Sequence, residues 1–502
     1  MFYTTYLTKF FVGLLGGKME KDISIYIIGA GLAGTMIARE ISKKEIFGKV
    51  LAFLDDDENK IGNKLDGIPI LGPIEDGAKL IRINAEDEAL IAIPSISSER
   101  LRQIYLALKE AGFSKIKLLP ALSQIVDDYA HLVQARDIDP QDLLTRTPIK
   151  IPLKSSLAYL SGKRVLITGA GGSIGSEISR QLLSGGASRL YLFGHGENSI
   201  YQIHKELLHL QEGGVGENAI IVPVIGELKD RHYMQYIMKK LNCDVVFHVA
   251  AYKHVPMMED NPVAAIENNV FGTKNLLDAC LECNVKRFVL ISTDKAVCPI
   301  SVYGFSKMLN EKMVLDYAKK TNSSSSYMFV RFGNVLGSRG SIFPLFVSQI
   351  EKGGPVTITD TKMIRYFMTI PEACSLVLQT GGVGTNGSSY LLDMGEPVNI
   401  YETAKQLIRY MGYVPEVDIP IQIIGKRKGE RLEEYLYSKD EQITPTEYPK
   451  ILKLQSKNAI FPLEDILSKL QPYCIYDESQ KDLYRNREKM VNYIKENFLA
   501  KE

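Results

Sequence analysis

Tryptophan is absent from this chain of 502 residues, and cysteine and histidine are scarce, with six and seven copies. Six cysteines (Cys243, Cys280, Cys283, Cys298, Cys374 and Cys474) are too few for a disulfide scaffold in a chain this long. Cys280 and Cys283 form the one close pair. With no second pair and with scattered histidines, they read as small core residues on a helix, and no metal site is expected. Excess charge is missing too. Lys+Arg 60 against Asp+Glu 59 leaves no field to gather nucleic acid or an acidic membrane. Long apolar runs are also lacking. Phe10–Leu15 falls far short of the roughly 20 residues that a membrane-spanning helix needs, and no convincing secretory cleavage site accompanies it. Residues 1–20 are expected to be a leader with no integral membrane span, which leaves peripheral contact with a surface open. A reducing, cytoplasmic setting fits these absences. Hydrophobic residues at 45% and charged residues at 24% describe an ordinary globular chain of about two to four domains.

What is present begins with glycine. Ile23–Ile28 reads as a buried strand and runs into Gly29-Ala30-Gly31-Leu32-Ala33-Gly34, followed by a helical run from Thr35 to Lys43. Arg164–Thr168 likewise runs into Gly169-Ala170-Gly171-Gly172-Ser173-Ile174-Gly175, followed by a helix through Leu183. A strand, a tight glycine turn and a helix start together present backbone N–H groups to a pyrophosphate. A lone GxGxxG is weak; each of these has the strand before it and the helix after it that the motif requires. In the first, Val50–Leu54 ends in Asp55, at the spacing where an acid holds a ribose hydroxyl.

The fold class expected is α/β, with two tandem Rossmann-like, doubly wound parallel-sheet domains. The first covers 21–140 and a proline-containing linker 141–161. The second covers 162–502, with strands at Arg189–Phe193, Ala219–Val224, Asp244–His248 and Arg287–Ile291. Beyond about residue 340 the alternation loosens, as expected of a smaller C-terminal substrate-binding lobe. Glu478–Glu502 is charged and helical, and reads as a solvated face.

The chemistry concentrates in Ser292-Thr293-Asp294-Lys295 and Tyr303-Gly304-Phe305-Ser306-Lys307. Thr293, Asp294 and Lys295 follow the strand Arg287–Ile291, at the carboxyl edge where open α/β sheets bind ligands. Tyr303 and Lys307 stack on one face of the next helix. A Lys beside a Tyr favours the phenolate, which makes a general base for an alcohol next to a nicotinamide ring. The Asp294–Lys295 pair adds acid–base capacity beyond a simple oxidation.

Thr168–Glu177, Ala250–Glu259, Asn268–Thr273, Ser292–Val297, Arg331–Ser338 and Arg365–Ala373 together resemble the CapD-like polysaccharide-biosynthesis proteins. These are nucleotide-sugar 4,6-dehydratases of the extended short-chain dehydrogenase/reductase superfamily. The likeness spans nearly all of 21–440, and the first domain resembles the nucleotide-binding-type domain of the long members. It implies UDP-N-acetylglucosamine as substrate and a 4-keto-6-deoxy sugar nucleotide as product. In that scheme Tyr303, with Lys307, takes the C4 hydroxyl proton and Thr293 binds the C4 oxygen. A neutral Lys295 takes the C5 proton, and a protonated Asp294 supplies the departing C6 hydroxyl.

Cofactor contacts are expected from Gly169, Gly172, Ser173, Ile174, Gly175, His195, Glu227, Ala250 and Ala251, besides Tyr303 and Lys307. Substrate contacts are expected from Lys253, Asn334, Arg339 and Arg365. Gly29, Gly31, Gly34 and Asp55 form the nucleotide loop of the first domain. The family favours NAD. Gly194, where an acid would hold the adenosine ribose, weakens that choice, and NADP stays open. A homo-oligomer is expected.

The chain departs from the long members in lacking transmembrane helices and in carrying Tyr303 where many have Met. Retention or inversion at C5 is thus undecided. A 4-epimerase would use Tyr303 and Lys307 but has no need of Asp294–Lys295. A nucleotide-sensing protein would use the first domain, which could equally be a packing and oligomerisation module.

Overall fold

The computed structural model describes residues 23–44, 48–93, 96–119, 136–138, 156–216, 218–456 and 461–500. The expected leader and most of the expected linker lie outside them. The chain divides into two compact units, one over 1–121 and 129–138, the other over 122–128 and 139–502.

In the first unit the strand Ser24–Ile28 is apolar almost throughout and takes the middle of a seven-stranded sheet. Lys49–Leu54 and then Ile68–Leu71 lie parallel on one side, Glu88–Ile91 and Lys115–Leu118 parallel on the other. Short antiparallel strands, Lys64–Leu65 and Arg136–Asp137, close the two edges. The helices Leu32–Lys44, Ile74–Leu80 and Ser98–Ala111 connect the strands. The last is set at its start by Ser97, whose hydroxyl accepts from the Arg100 N–H. It stops at Gly112, where φ of 107° suits glycine.

The second unit is built on nine strands. Their order is Ile220–Ile225, Arg189–Gly194, Arg164–Thr168, Val245–His248, Arg287–Ile291, Ser326–Arg331, Ser388–Leu392, Ile451–Ser456, Glu441–Pro445. The first seven run parallel, and the last two are antiparallel. Strand order reverses between Arg164–Thr168 and Val245–His248, and that switch point opens a crevice at the carboxyl ends. Both sheets are Rossmann-like as expected, but mixed at their edges rather than wholly parallel.

A second, smaller core of Leu336, Phe343, Phe346, Ile358, Leu407 and Ile419 forms the expected lobe beyond the sheet. Two expectations change. Residues 156–161 are no linker: Leu157 and Leu160 are buried, and the Tyr159 hydroxyl donates to the Leu378 carbonyl at 2.9 Å. The C-terminal helix Arg487–Asn497 is not wholly solvated either, since Met490 and Ile494 join the main core. Just beyond it Phe498 stacks on Phe305, ring centres 5.0 Å apart, two residues from Tyr303. The charged residues of this segment occupy the outer face, and its few apolar ones decide which face is buried.

Candidate functional site

The glycine turn of the second unit is fixed by contact. Gly169 has φ of +67°, and a Cβ there would stand 2.8 Å from the Ala250 Cα. A Cβ on Gly175 would stand 2.2 Å from the Gly169 carbonyl oxygen, so the helix Ser173–Ser184 starts hard against the turn. Gly172 caps that helix without a side chain, leaving its first N–H groups to face an anion. Ala250 is held beside the turn by its N–H, which donates to Thr168 Oγ1 at 3.3 Å, and Ala251 follows it. Ser173 Oγ accepts from the Arg339 N–H at 3.0 Å, which brings Arg339 to the same loop.

At the ends of the neighbouring strands His195 is exposed and meets the Tyr252 ring edge-on, with centres 6.3 Å apart. Glu227 is exposed and paired with Lys229 at 3.1 Å. Turn, helix start and the Ala250 wall form a cradle in which a Cβ would fill the space, and this fits a dinucleotide pyrophosphate.

Ser292, Thr293, Asp294 and Lys295 leave the strand Arg287–Ile291 and turn back over it. Thr293 caps the short turn Asp294–Ala296, and its hydroxyl donates to Asp294 Oδ1 at 2.8 Å. Lys295 Nζ donates to Asp294 Oδ1 and to Asn334 Oδ1, each at 3.0 Å. The Ser301 hydroxyl accepts from the Gly304 N–H at 3.1 Å and starts the helix Val302–Lys320. Tyr303 and Lys307 therefore fall in its first turns. A Cβ on Gly304 would stand 2.3 Å from the Lys295 carbonyl oxygen, so glycine is what lets helix and turn touch. Lys307 Nζ donates to the Ile291 carbonyl at 2.7 Å, and the nearby Thr293 hydroxyl acts on the Tyr303 phenol, favouring its ionised form.

The electrostatics correct two expectations. Tyr303 is not drawn towards neutrality: burial pushes the phenol up to about 12, with Lys295 working the other way. Burial instead lowers Lys307, to about 8, because its ammonium has a carbonyl for company and the nearest carboxylate is Glu311. Nor is Lys295 a ready neutral amine. Burial alone would lower it, but Asp294 and Glu434 outweigh that and the net direction is upward. In this state Lys295 is an ammonium.

The substrate candidates separate. Lys253 is lowered by desolvation, with the cations Lys295 and Arg339 pushing the same way. Lys253 Nζ donates to Ser338 Oγ at 3.4 Å. Asn334 joins Lys295 directly. Arg365 lies apart in kind: it is buried, and its guanidinium donates to the carbonyls of Ile364, Leu432 and Arg431 at 2.7–2.9 Å. Its role is to hold the segment 431–434 rather than to offer a free fork.

That segment carries what the sequence reading missed. Glu434 is 6% exposed, with Oε1 3.8 Å from Lys295 Nζ and 3.9 Å from Arg365 Nη2. Arg331, also buried, pairs with Glu311 at 2.7 Å and Glu441 at 2.9 Å. Glu311 in turn accepts from the Ser292 hydroxyl at 2.6 Å. Asn269 ties Tyr252 to the helix Val302–Lys320: Nδ2 donates to the Tyr252 carbonyl and to Ser306 Oγ, both at 3.0 Å. Glu434 sits in Glu430-Arg431-Leu432-Glu433-Glu434, whose composition signals a solvent face.

In the first unit Gly29 has φ of +106°, and a Cβ on Gly34 would stand 2.0 Å from the Gly29 carbonyl oxygen. Gly31 has open space around it. Asp55 is turned onto this loop, accepting from the Ala30 N–H at 2.6 Å and the Asp57 N–H at 2.9 Å. Among the described residues no group of three or more His, Cys, Asp and Glu could hold a metal ion, and no helix is long and apolar enough to cross a membrane.

Sheet order, glycine turn and capping lobe place the second unit among the extended short-chain dehydrogenases/reductases. A family model described as "Polysaccharide biosynthesis protein" matches residues 165–456. The chain is 42% identical over 426 residues to the probable polysaccharide biosynthesis protein EpsC of Bacillus subtilis (strain 168), covering 85% of this chain and 70% of EpsC. It is 31% identical over 283 residues to an inverting UDP-N-acetylglucosamine 4,6-dehydratase of Campylobacter jejuni, covering 56% of this chain and 79% of that one. It is 33% identical over 285 residues to a UDP-glucose 4-epimerase of Rickettsia rickettsii, again covering 56% and 79%. The chain belongs to the CapD-like polysaccharide biosynthesis proteins, relatives of nucleotide-sugar 4,6-dehydratases and epimerases.

Proposed function

We propose that the second unit is a UDP-N-acetylglucosamine 4,6-dehydratase that uses NAD and serves surface-polysaccharide synthesis. One observation carries this reading: Asp294 and Lys295, hydrogen-bonded to each other, lie in the same buried cluster as Thr293 and Tyr303. Oxidation at C4 requires only Tyr303, Thr293 and Lys307. A titratable acid and amine added beside them suit removal of a C5 proton and protonation of a leaving C6 hydroxyl. When bound, NAD supplies the hydride acceptor for C4 and the donor for C6. The Gly169–Gly175 turn would hold its pyrophosphate, with Ala250 and Ala251 lining the cradle and His195 and Glu227 at the adenosine side.

Tyr303 takes the C4 hydroxyl proton as the phenolate, a form it must reach against its burial. Thr293 fixes the C4 oxygen. Lys295, once neutral, takes the C5 proton, and Asp294 gives a proton to the departing hydroxyl. Lys253 and Arg339, two cations that repel each other's charge, suit the diphosphate, and Asn334 accepts from Lys295.

The test is to incubate the purified chain with UDP-N-acetylglucosamine and weigh the product. Loss of one water is expected. Equal mass with inverted C4 would replace this reading by an epimerase, and no turnover would sink both.

A further inference from the structure

Lys295 has three N–H donors, and their acceptors differ in what they can do. Asn334 Oδ1, at 3.0 Å, is an amide oxygen and cannot take a proton at any ordinary pH. Asp294 Oδ1, at 3.0 Å, already accepts from the Thr293 hydroxyl at 2.8 Å. Asp294 Oδ2 is buried with no hydrogen-bond partner among the described residues. A proton on Asp294 would therefore sit on Oδ2, which has no other partner, and not on the oxygen facing Lys295. The other carboxylate beside this ammonium is Glu434, whose Oε1 is in ion-pair contact at 3.8 Å, beyond hydrogen-bond distance but within reach of a small side-chain movement.

Glu434 is well placed as an acceptor. Arg365, anchored by three carbonyls, fixes it from behind at 3.9 Å. Arg431 also faces it, and the Arg431 guanidinium is tied to the carbonyls of Val297 and Cys298, just past the catalytic turn. Around Lys295 the charged or titratable groups are Asp294, Glu434, Arg365, Lys253 and Tyr303.

We propose that Glu434 is the proton acceptor through which Lys295 becomes a neutral amine while Asp294 keeps its own proton. An N–H bond of the Lys295 ammonium breaks and an O–H bond on Glu434 forms; the site's net charge does not change, and no path to solvent is needed. Lys295 then takes the C5 proton, and Asp294 Oδ2 gives its proton to the C6 oxygen, which leaves as water. The proton now on Lys295 passes to Asp294, and the one held on Glu434 returns to Lys295, which restores the starting state. Burial raises Glu434 above an ordinary glutamate, opposed by Lys295, and this favours a carboxyl that can hold the proton. Glu434 acts through Lys295 and is a positioning residue. The proposal rests on the dehydratase reading for its last two steps, but not for the coupling of Glu434 to Lys295.

The experiment compares the full-length wild type with Glu434→Gln and Glu434→Asp. First, Lys295 is titrated by NMR in protein labelled with ¹³C at lysine Cε, assigned by Lys295→Ala. Its titration should move to lower pH in Glu434→Gln; an unmoved resonance overturns the proposal whatever the substrate. Second, water loss from UDP-N-acetylglucosamine is followed against pH. In Glu434→Gln Lys295, though it titrates lower than in the wild type, stays above neutral and has no carboxylate to take its proton, so water loss should fall about 100-fold at neutral pH and recover about tenfold per pH unit as Lys295 sheds its proton to solvent. The Asp variant should recover part of the rate, and C4 oxidation should persist in both. Wild-type elimination rate and pH profile in Glu434→Gln overturn the proposal, as does a loss equal at every pH. A wild type that loses no water, with the Lys295 titration shifted, fails the dehydratase reading and leaves the Glu434–Lys295 coupling standing.

Discussion

Lys307 and Tyr303 lie one helical turn apart, yet the Lys307 ammonium donates to the backbone carbonyl of Ile291, at 2.7 Å. The lysine thus fixes the helix Val302–Lys320 to the end of the strand Arg287–Ile291. Tyr303→Phe should cut C4 oxidation by about 10²–10⁴-fold, the range for losing a positioned acid–base group. Thr293→Val should also slow it without releasing the cofactor. Both are read from the transient absorbance of reduced nicotinamide; an unchanged rate in Tyr303→Phe would remove the phenol from the chemistry.

Arg331, at the end of the strand Ser326–Arg331, joins the helix Val302–Lys320 to the strand Glu441–Pro445 through Glu311 and Glu441. Removing its charge strands one buried and one partly buried carboxylate. Arg331→Met should destabilise the second unit by about 3–5 kcal/mol, measured as the fall in unfolding free energy in denaturant. Arg331→Lys should recover little, because one ammonium cannot serve both carboxylates bidentately.

His248 is buried between Thr168 Oγ1 at 2.7 Å and Thr273 Oγ1 at 2.8 Å, and burial drives it down to about 3 from an ordinary 6.5. Between those values the unfolded chain binds a proton that the folded chain refuses, so stability falls as pH drops through that window. The loss amounts to at most about 1.4 kcal/mol per pH unit from this residue. His248→Gln should lack that component. Equal acid slopes for the two proteins would show that His248 is not the source.

Two glycines in equivalent places offer a comparison. Gly175→Ala forces a Cβ within 2.2 Å of the Gly169 carbonyl, and Gly34→Ala does the same, at 2.0 Å, to Gly29. Gly175→Ala should abolish cofactor binding measured by calorimetry with NAD, while Gly34→Ala should leave it and turnover unchanged. Lost turnover in Gly34→Ala with its unit still folded would make the first unit part of the catalytic cycle.

The legible parts of this site were those carried by short-range pattern. Ser301 capping a helix that begins with Tyr303, and Lys307 four residues on, follow from local rules. So do the glycine turns, because a strand, a turn and a helix start leave a signature within about 15 residues. Glu434 was illegible because its charged neighbours look like solvent-facing residues; burial came from Arg365 and Lys295, distant in sequence. The charge state of Lys295 was illegible for the same reason. Adjacent residues name Asp294 as its partner, and only the fold adds a second carboxylate.

The sequence by itself determined the two glycine turns, the sheets they feed and the residues at the strand's carboxyl end, because strand and helix periodicities are set locally. Only tertiary structure decided which carboxylates share Lys295, that Arg365 serves the backbone, and that the charged C-terminal segment hides Met490 and Ile494. Those outcomes depend on desolvation and on contacts between segments far apart in the chain, and neither is written in the spacing of neighbouring residues.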